Sequence, residues 1–283
     1  MIYLSAFSDE AATDLQGQID ALKRNNIGFM EVRFINGTPV GNFTLEQAEE
    51  YGKIMEEQGI KVWAIGSPLG KEDIKTLDFK EYEELIHRIC KIAKILKTDK
   101  VRMFSFFNAY DEADKVFTYL KRMVEIATEY DVTFYHENEK DIYGDNVQRV
   151  LEIMQKVKGL KYVYDPANFL QVGEKADNSL DNLHATTDYF HIKDVISATG
   201  ELVPAGHGDG KIDELIARID GDTTMTLEPH LRIFDAFKSI DDTEMKHKFH
   251  FTSNGEAFDA AVAALKKLLV AAGYHEVEGG FTK

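Results

Sequence analysis

Eight times along this chain a short apolar run gives way to a longer stretch with apolar residues at helical spacing. The runs read as strands over Ile2–Phe7, Phe29–Phe34, Ile60–Ile65, Lys100–Phe106, Val132–Glu137, Leu160–Asp165, Tyr189–Lys193 and Thr224–Glu228. Helices are expected near Asp14–Asn25, Thr44–Gln58, Phe79–Leu96, Glu112–Tyr130, Gly144–Lys156, Leu180–Thr186, Lys211–Arg218 and Gly255–Ala271. Such alternation argues for a parallel sheet. Eight units over 283 residues favour closure into a single (β/α)8 TIM barrel, which forms one domain of roughly 250 residues. We expect one domain over residues 1–283, with its chemistry where the strands finish. One stretch is surplus to the pattern. Leu231 to Asn254 lies between the eighth strand and the last helix and carries Phe234, Phe237, Phe249, Phe251, His247 and His250. A loop of that length is often a lid or an interface, so a homo-oligomer is possible.

Composition excludes several classes. Net charge is −16, from 49 acidic and 33 basic side chains, which opposes a nucleic-acid partner because phosphate binding relies on Lys and Arg. No apolar run is long enough to span a membrane. Met1 leads straight into a strand with no basic region before it, so we expect no signal peptide and a cytoplasmic protein. The single cysteine, Cys90, sits at helical spacing with Leu85, Ile86, Ile89 and Ala93 and is expected in the core.

Four successive strands end on carboxylates or imidazole. Side chains alternate faces along a strand. Met225 and Leu227 suit the helix-facing side of the eighth strand, and Phe190 and Ile192 that of the seventh. Glu228 and His191 should then point into the barrel mouth, with Glu137 alongside and Asp165 at the matching place on strand six. Three carboxylates and one imidazole favour one divalent ion, Mn²⁺ or Mg²⁺, with Co²⁺ or Zn²⁺ possible. Such an ion on the hydroxyl and carbonyl of a sugar would acidify the C–H beside the carbonyl and stabilise an enediolate. Glu137 and Glu228 could remove and return the proton as base and acid. Glu139 has the parity of Glu137 but is expected as a solvated loop carboxylate. Arg102 either binds a substrate oxyanion or balances the acidic mouth. Glu31 and Arg33 share a face and could pair with each other. His136 should pack under a helix, and His87 should be exposed. The loop Gly206–Gly210 lacks the Gly-Lys-Ser/Thr ending of a P-loop.

These residues resemble the xylose isomerase-like superfamily of TIM barrels, which holds sugar isomerases and epimerases and an endonuclease IV branch. The resemblance rests on Glu137-Asn138, Asp165-Pro166-Ala167-Asn168, His191-Ile192-Lys193-Asp194 and Leu227-Glu228-Pro229-His230, each on the matching strand and in the matching order. Glu31-Val32-Arg33 and Gly66-Ser67-Pro68 are weaker matches. It implies metal ligands Glu137, Asp165, His191 and Glu228, with Glu137 and Glu228 as the acid/base pair. It further implies that Asn168 and Lys193 lie near the substrate, as would His207, where many relatives have Glu. The three-zinc ligand set of the endonuclease branch is not evident. The expected activity is metal-dependent isomerisation or epimerisation of a sugar or sugar derivative. Dehydration of a cyclic keto-polyol, as in inosose dehydratase-like relatives, and non-catalytic binding of a sugar or metal are the alternatives.

Overall fold

The structure is a computed structural model, and it describes residues 1–233 and 249–283. Eight parallel strands close into a barrel: β1 (Ile2–Ala6), β2 (Phe29–Val32), β3 (Lys61–Gly66), β4 (Lys100–Met103), β5 (Thr133–Glu137), β6 (Lys161–Tyr164), β7 (Tyr189–Ile192) and β8 (Thr223–Leu227). Each pairs with its neighbour in sequence, and β8 pairs with β1 to complete the ring. Helices α1 (Leu15–Arg24), α2 (Leu45–Glu57), α3 (Phe79–Ile95), α4 (Ala113–Glu129), α5 (Val147–Lys156), α6 (Pro166–Gln171), α7 (Ala176–Leu183), α8 (Ile212–Ala217) and α9 (Asn254–Ala271) follow the strands. This is the expected single (β/α)8 barrel, with element ends that match or shift by up to four residues, the largest shift being in α7, expected near Leu180–Thr186. No helix among the described residues is long and apolar enough to cross a membrane.

Local chemistry sets the element ends. Thr44 and Gln47 form a reciprocal capping box at the start of α2, satisfying N–H groups that a helix cannot pair internally. Asp165 caps α6, a short helix that the sequence reading did not anticipate. Three hairpins were also missed: Phe34–Ile35 with Thr38–Pro39, Asp194–Ile196 with Glu201–Val203, and His275–Val277 with Gly280–Thr282. Their strands are two or three residues long, too short to show a period.

The core sits between sheet and helices. Met225, Leu227, Phe190, Ile192 and Phe134 belong to it, as strand parity requires. Cys90 is buried there, and burial pushes its thiol up to about 12. His87 is half-buried rather than exposed, with its Nδ1 3.0 Å from the Tyr130 hydroxyl. Inside the barrel an aromatic layer closes the lower end, through Tyr3–Phe29, Phe29–Trp63, Trp63–Tyr189 and Tyr135–Tyr189 ring contacts of 5.4–6.0 Å.

His136 is fully buried on the helix-facing side of β5, with Nε2 3.0 Å from Ser105 Oγ. Burial pushes its imidazolium down to about 3 from 6.5. The folded protein thus favours neutral imidazole, while the unfolded chain takes up a proton as pH falls through 6.5. This group withdraws stability below that pH, by about 1.4 kcal/mol per unit until pH approaches about 3. Urea unfolding of His136→Gln between pH 7 and 5 should show a shallower loss of stability than the wild type. Parallel curves would contradict the assignment.

Candidate metal centre

The β5–β8 tips converge at the barrel mouth. Glu137, Asp165, His191 and Glu228 are all buried, and each offers one ligand atom lying within 4.8 Å of the other three. His191 Nδ1 is 2.9 Å from Glu137 Oε1 and 3.3 Å from Glu228 Oε2. Lys193 Nζ is 3.0 Å from Asp165 Oδ2 and 3.8 Å from Glu228 Oε2. The four residues singled out from strand parity thus meet around one point.

Their neighbours explain the flanking motif residues. Asn138 bolts the tip of β5 to that of β6: its Oδ1 accepts from Asp165 N at 3.0 Å and Tyr162 Oη at 2.8 Å, and its Nδ2 donates to Asp165 O at 2.8 Å. Asp165 Oδ1 is occupied by the α6 amides of Ala167 and Asn168, at 2.8 and 3.1 Å. This leaves Oδ2 for the cluster. Asn168 Nδ2 donates to Asn138 O at 2.9 Å and reaches Glu137 Oε1 at 3.5 Å.

Each glutamate has its own arginine. Arg102 Nε is 3.1 Å from Glu137 Oε2, and Arg33 Nη1 donates to Glu228 Oε1 at 2.8 Å. Arg102 thus pairs with Glu137 in the acidic mouth. Both guanidinium groups lie over the Phe7 ring, at 4.2 Å for Arg33 and 5.3 Å for Arg102, and Arg102 also covers Phe104 at 4.5 Å. Gly66 makes room for this stack, since a Cβ there would stand 2.5 Å from Phe7 Cε1 and 3.3 Å from Arg102 Nη2. Ser67 O accepts from Arg102 Nη1 at 2.8 Å.

Some expectations need correction. Glu31 and Arg33 do not pair with each other. Glu31 lies beneath His191, while Arg33 turns to Asp9, Glu10 and Glu228. Glu139 is not a solvated loop carboxylate: it is half-buried, 3.1 Å from Lys71 Nζ, and lines the cavity beside Glu137 and Glu228. His207 is exposed, its ring set edge-on to Phe249 at 5.4 Å, and it is not one of the four clustered residues. Most of the 231–254 excursion, residues 234–248 with Phe234, Phe237 and His247, lies outside the described residues. Asp9, Glu10, Glu31 and Lys71 were missed as site residues. For Asp9 and Glu10 the signal was present: they stand just past β1, where the strand-end rule already pointed.

Seven carboxylates (Asp9, Glu10, Glu31, Glu137, Glu139, Asp165 and Glu228) face four permanent cations (Arg33, Lys71, Arg102 and Lys193). Protons fill the deficit. Burial, reinforced by Glu137 and Glu228 against the pull of Lys193, pushes Asp165 up to about 7. Burial likewise raises Glu10 to about 8, though Arg33 opposes it. Burial disfavours the His191 cation, but Glu137 and Glu31 outweigh it and hold His191 well above its ordinary range. Burial would raise Glu228 too, yet Lys193 and His191 draw it well below. A divalent cation would fill most of the same deficit. Asp165 Oδ2 and Glu228 Oε2 are buried and face the Lys193 ammonium and the His191 ring, cationic partners whose place a metal ion could share. The donor set, three carboxylates and one imidazole, fits a hard divalent ion.

A model of the xylose isomerase-like TIM barrel family matches residues 19–268. The chain belongs to this family. Solved structures agree on the fold of this xylose isomerase-like barrel. A probable 3-DHS dehydratase, AsbF, from Bacillus anthracis superposes with a TM-score of 0.71 at 18% identity, covering 94% of this chain and 99% of that one. A D-allulose 3-epimerase from Methylomonas sp. gives 0.71 at 13%, covering 94% and 98%. An IolI protein with a bound zinc atom gives 0.68 at 15%, covering 95% and 97%. No curated protein sequence matches significantly.

Loading a divalent cation must displace the protons held by Asp165 and His191. Calorimetric titration with Mn²⁺ at pH 6.5, in two buffers of different ionisation enthalpy, should reveal release of about one proton or more per ion. Affinity should rise with pH, most steeply below about 7, where Asp165 is half ionised without metal, and less steeply above it while His191 still holds its proton. Binding without proton release would contradict this electrostatic reading.

Proposed function

We propose that this barrel is a divalent-metal-dependent sugar or sugar-derivative isomerase or epimerase that moves a proton at the carbon beside a carbonyl. The carrying observation is the meeting of Glu137, Asp165, His191 and Glu228 within 4.8 Å at four adjacent strand tips. In this reading all four hold the ion, with Mn²⁺ or Mg²⁺ the best match to the oxygen-rich set. When bound, the ion supplies Lewis acidity that stabilises negative charge developing on the substrate oxygens.

The chain's own groups do the rest. Glu137 and Glu228 approach the reacting carbon from different strands, and one takes the proton that the other returns. Arg102 and Arg33 fix their carboxylates from behind. Lys193 holds the negative charge of Asp165, and Asn168 steadies Glu137. Phe34, Val40, Pro68 and Phe104 give the cavity beside the two glutamates an apolar wall opposite its charged groups, which would limit competing water once a substrate fills it. An ion would bring the charges close to balance, so an uncharged polyol suits the site better than a phosphorylated one. The small-molecule substrate, the absence of a nucleic-acid partner and the one-domain reading of residues 1–283 belong to this proposal.

One observation favours dehydration of a cyclic keto-polyol as a second reading. The Lys71 ammonium, paired with Glu139, lines the same cavity and could protonate a departing hydroxyl after the neighbouring C–H is lost. Incubation of the Mn²⁺-loaded protein with keto-sugars in D₂O separates the two. Isomerase or epimerase action places deuterium beside the carbonyl and interconverts stereoisomers, whereas dehydration yields an enone chromophore. Glu228→Gln and Glu137→Gln should each lower kcat/KM by about 10²–10⁴ with the fold intact by circular dichroism. Full activity in either variant would remove that glutamate from the acid/base role.

A further inference from the structure

Glu31 lies inside the barrel one level below the cluster, and it is only 1% exposed. Such a carboxylate is costly to bury unless hydrogen-bonded, and here donors from two other strands meet it. Tyr189 Oη donates to Oε1 at 3.1 Å, and Thr226 Oγ1 donates to Oε2 at 2.9 Å. His191 Nε2 lies 3.2 Å from Oε2 and 3.3 Å from Oε1. The opposite ring nitrogen, Nδ1, faces Glu137 and Glu228 in the cluster. The imidazole therefore spans two levels of the barrel, one nitrogen for each.

We propose that Glu31 is a positioning residue that commits His191 to present Nδ1, and not Nε2, to the cation. A carboxylate accepts hydrogen bonds and donates none, so Nε2 must carry the hydrogen that faces it. Nδ1 faces the Glu137 and Glu228 carboxylates and also carries a hydrogen in the metal-free ring; a cation that displaces that hydrogen would meet the lone pair on Nδ1, where the other three ligand atoms converge, while Glu31 keeps the hydrogen on Nε2. Phe7 stands edge-on to the His191 ring at 5.1 Å and Tyr189 at 5.6 Å. These contacts hinder a ring flip that would exchange the nitrogens. Carboxylate partners behind ligating histidines fix ring orientation and raise ligand basicity, and losing one typically costs 10–100-fold in metal affinity.

This inference rests on the metal-centre reading, and the test distinguishes their failures. Mn²⁺ alone is titrated into the wild type, Glu31→Leu and Glu31→Gln, with thermal melts to verify folding. Glu31→Leu should weaken Mn²⁺ binding about 10–100-fold. Glu31→Gln keeps the shape and one acceptor oxygen, so it should fall between Leu and wild type and serves as the reference if the leucine variant does not fold. In the Zn²⁺-loaded wild type, ¹⁵N–¹H spectra of His191 should show a protonated Nε2 and a metallated Nδ1. Metallation through Nε2, or equal Mn²⁺ affinity in all three proteins, would overturn the role of Glu31 alone. No Mn²⁺ or Zn²⁺ binding by the wild type would overturn the metal centre and this inference together.

Discussion

Like charges crowded into a buried barrel mouth are the constraint to which the rest of this structure responds. Buried carboxylates repel one another and lose their hydration, so each needs a counter-charge or a proton. The chain supplies Arg33, Arg102, Lys71 and Lys193 from four different β/α units, and these are too few for the seven acids they face. The remaining demand falls where Asp165, His191 and Glu228 meet. A site that must choose between binding protons and binding a divalent ion is poised for metal-dependent chemistry.

The barrel is built to tolerate that tension. The aromatic layer from Tyr3 to Tyr189 closes the lower end of the barrel. Above it, side-chain hydrogen bonds add to the strand ladder: Asn138 ties the tips of β5 and β6, and Glu31, inside the barrel, ties β2 to β7 and β8. Phe7 carries two guanidinium groups on one ring, so the clamps on Glu137 and Glu228 share a support. The price of this order is local strain, visible in His230, a non-glycine residue at φ +46° whose amide is held by Glu10 Oε2 at 2.8 Å.

Much of this was legible in the sequence because period-2 patterning reports which face a residue occupies. Met225 and Leu227 outward forced Thr226 and Glu228 inward, and the same parity placed His191. What parity cannot show is which strands lie opposite across the lumen. Glu31 and Arg33 looked like partners because they are neighbours on one strand, yet Glu31 meets His191, 160 positions away, and Arg33 meets Glu228, 195 positions away, together with Asp9 and Glu10 from the end of β1. Glu139 looked solvated because it lies past its strand, and only the fold brings Lys71 to it. His207 sits in a glycine-rich loop whose path no periodicity encodes.

The central claim is that four strand-tip side chains share one divalent ion, and anomalous scattering from a crystal grown with Mn²⁺ addresses it directly. The account predicts a single strong peak in the barrel mouth, with oxygen atoms of Glu137, Asp165 and Glu228 and a nitrogen of His191 at about 2.0–2.3 Å. A mouth without a peak, or a peak lacking two or more of these residues, would contradict it.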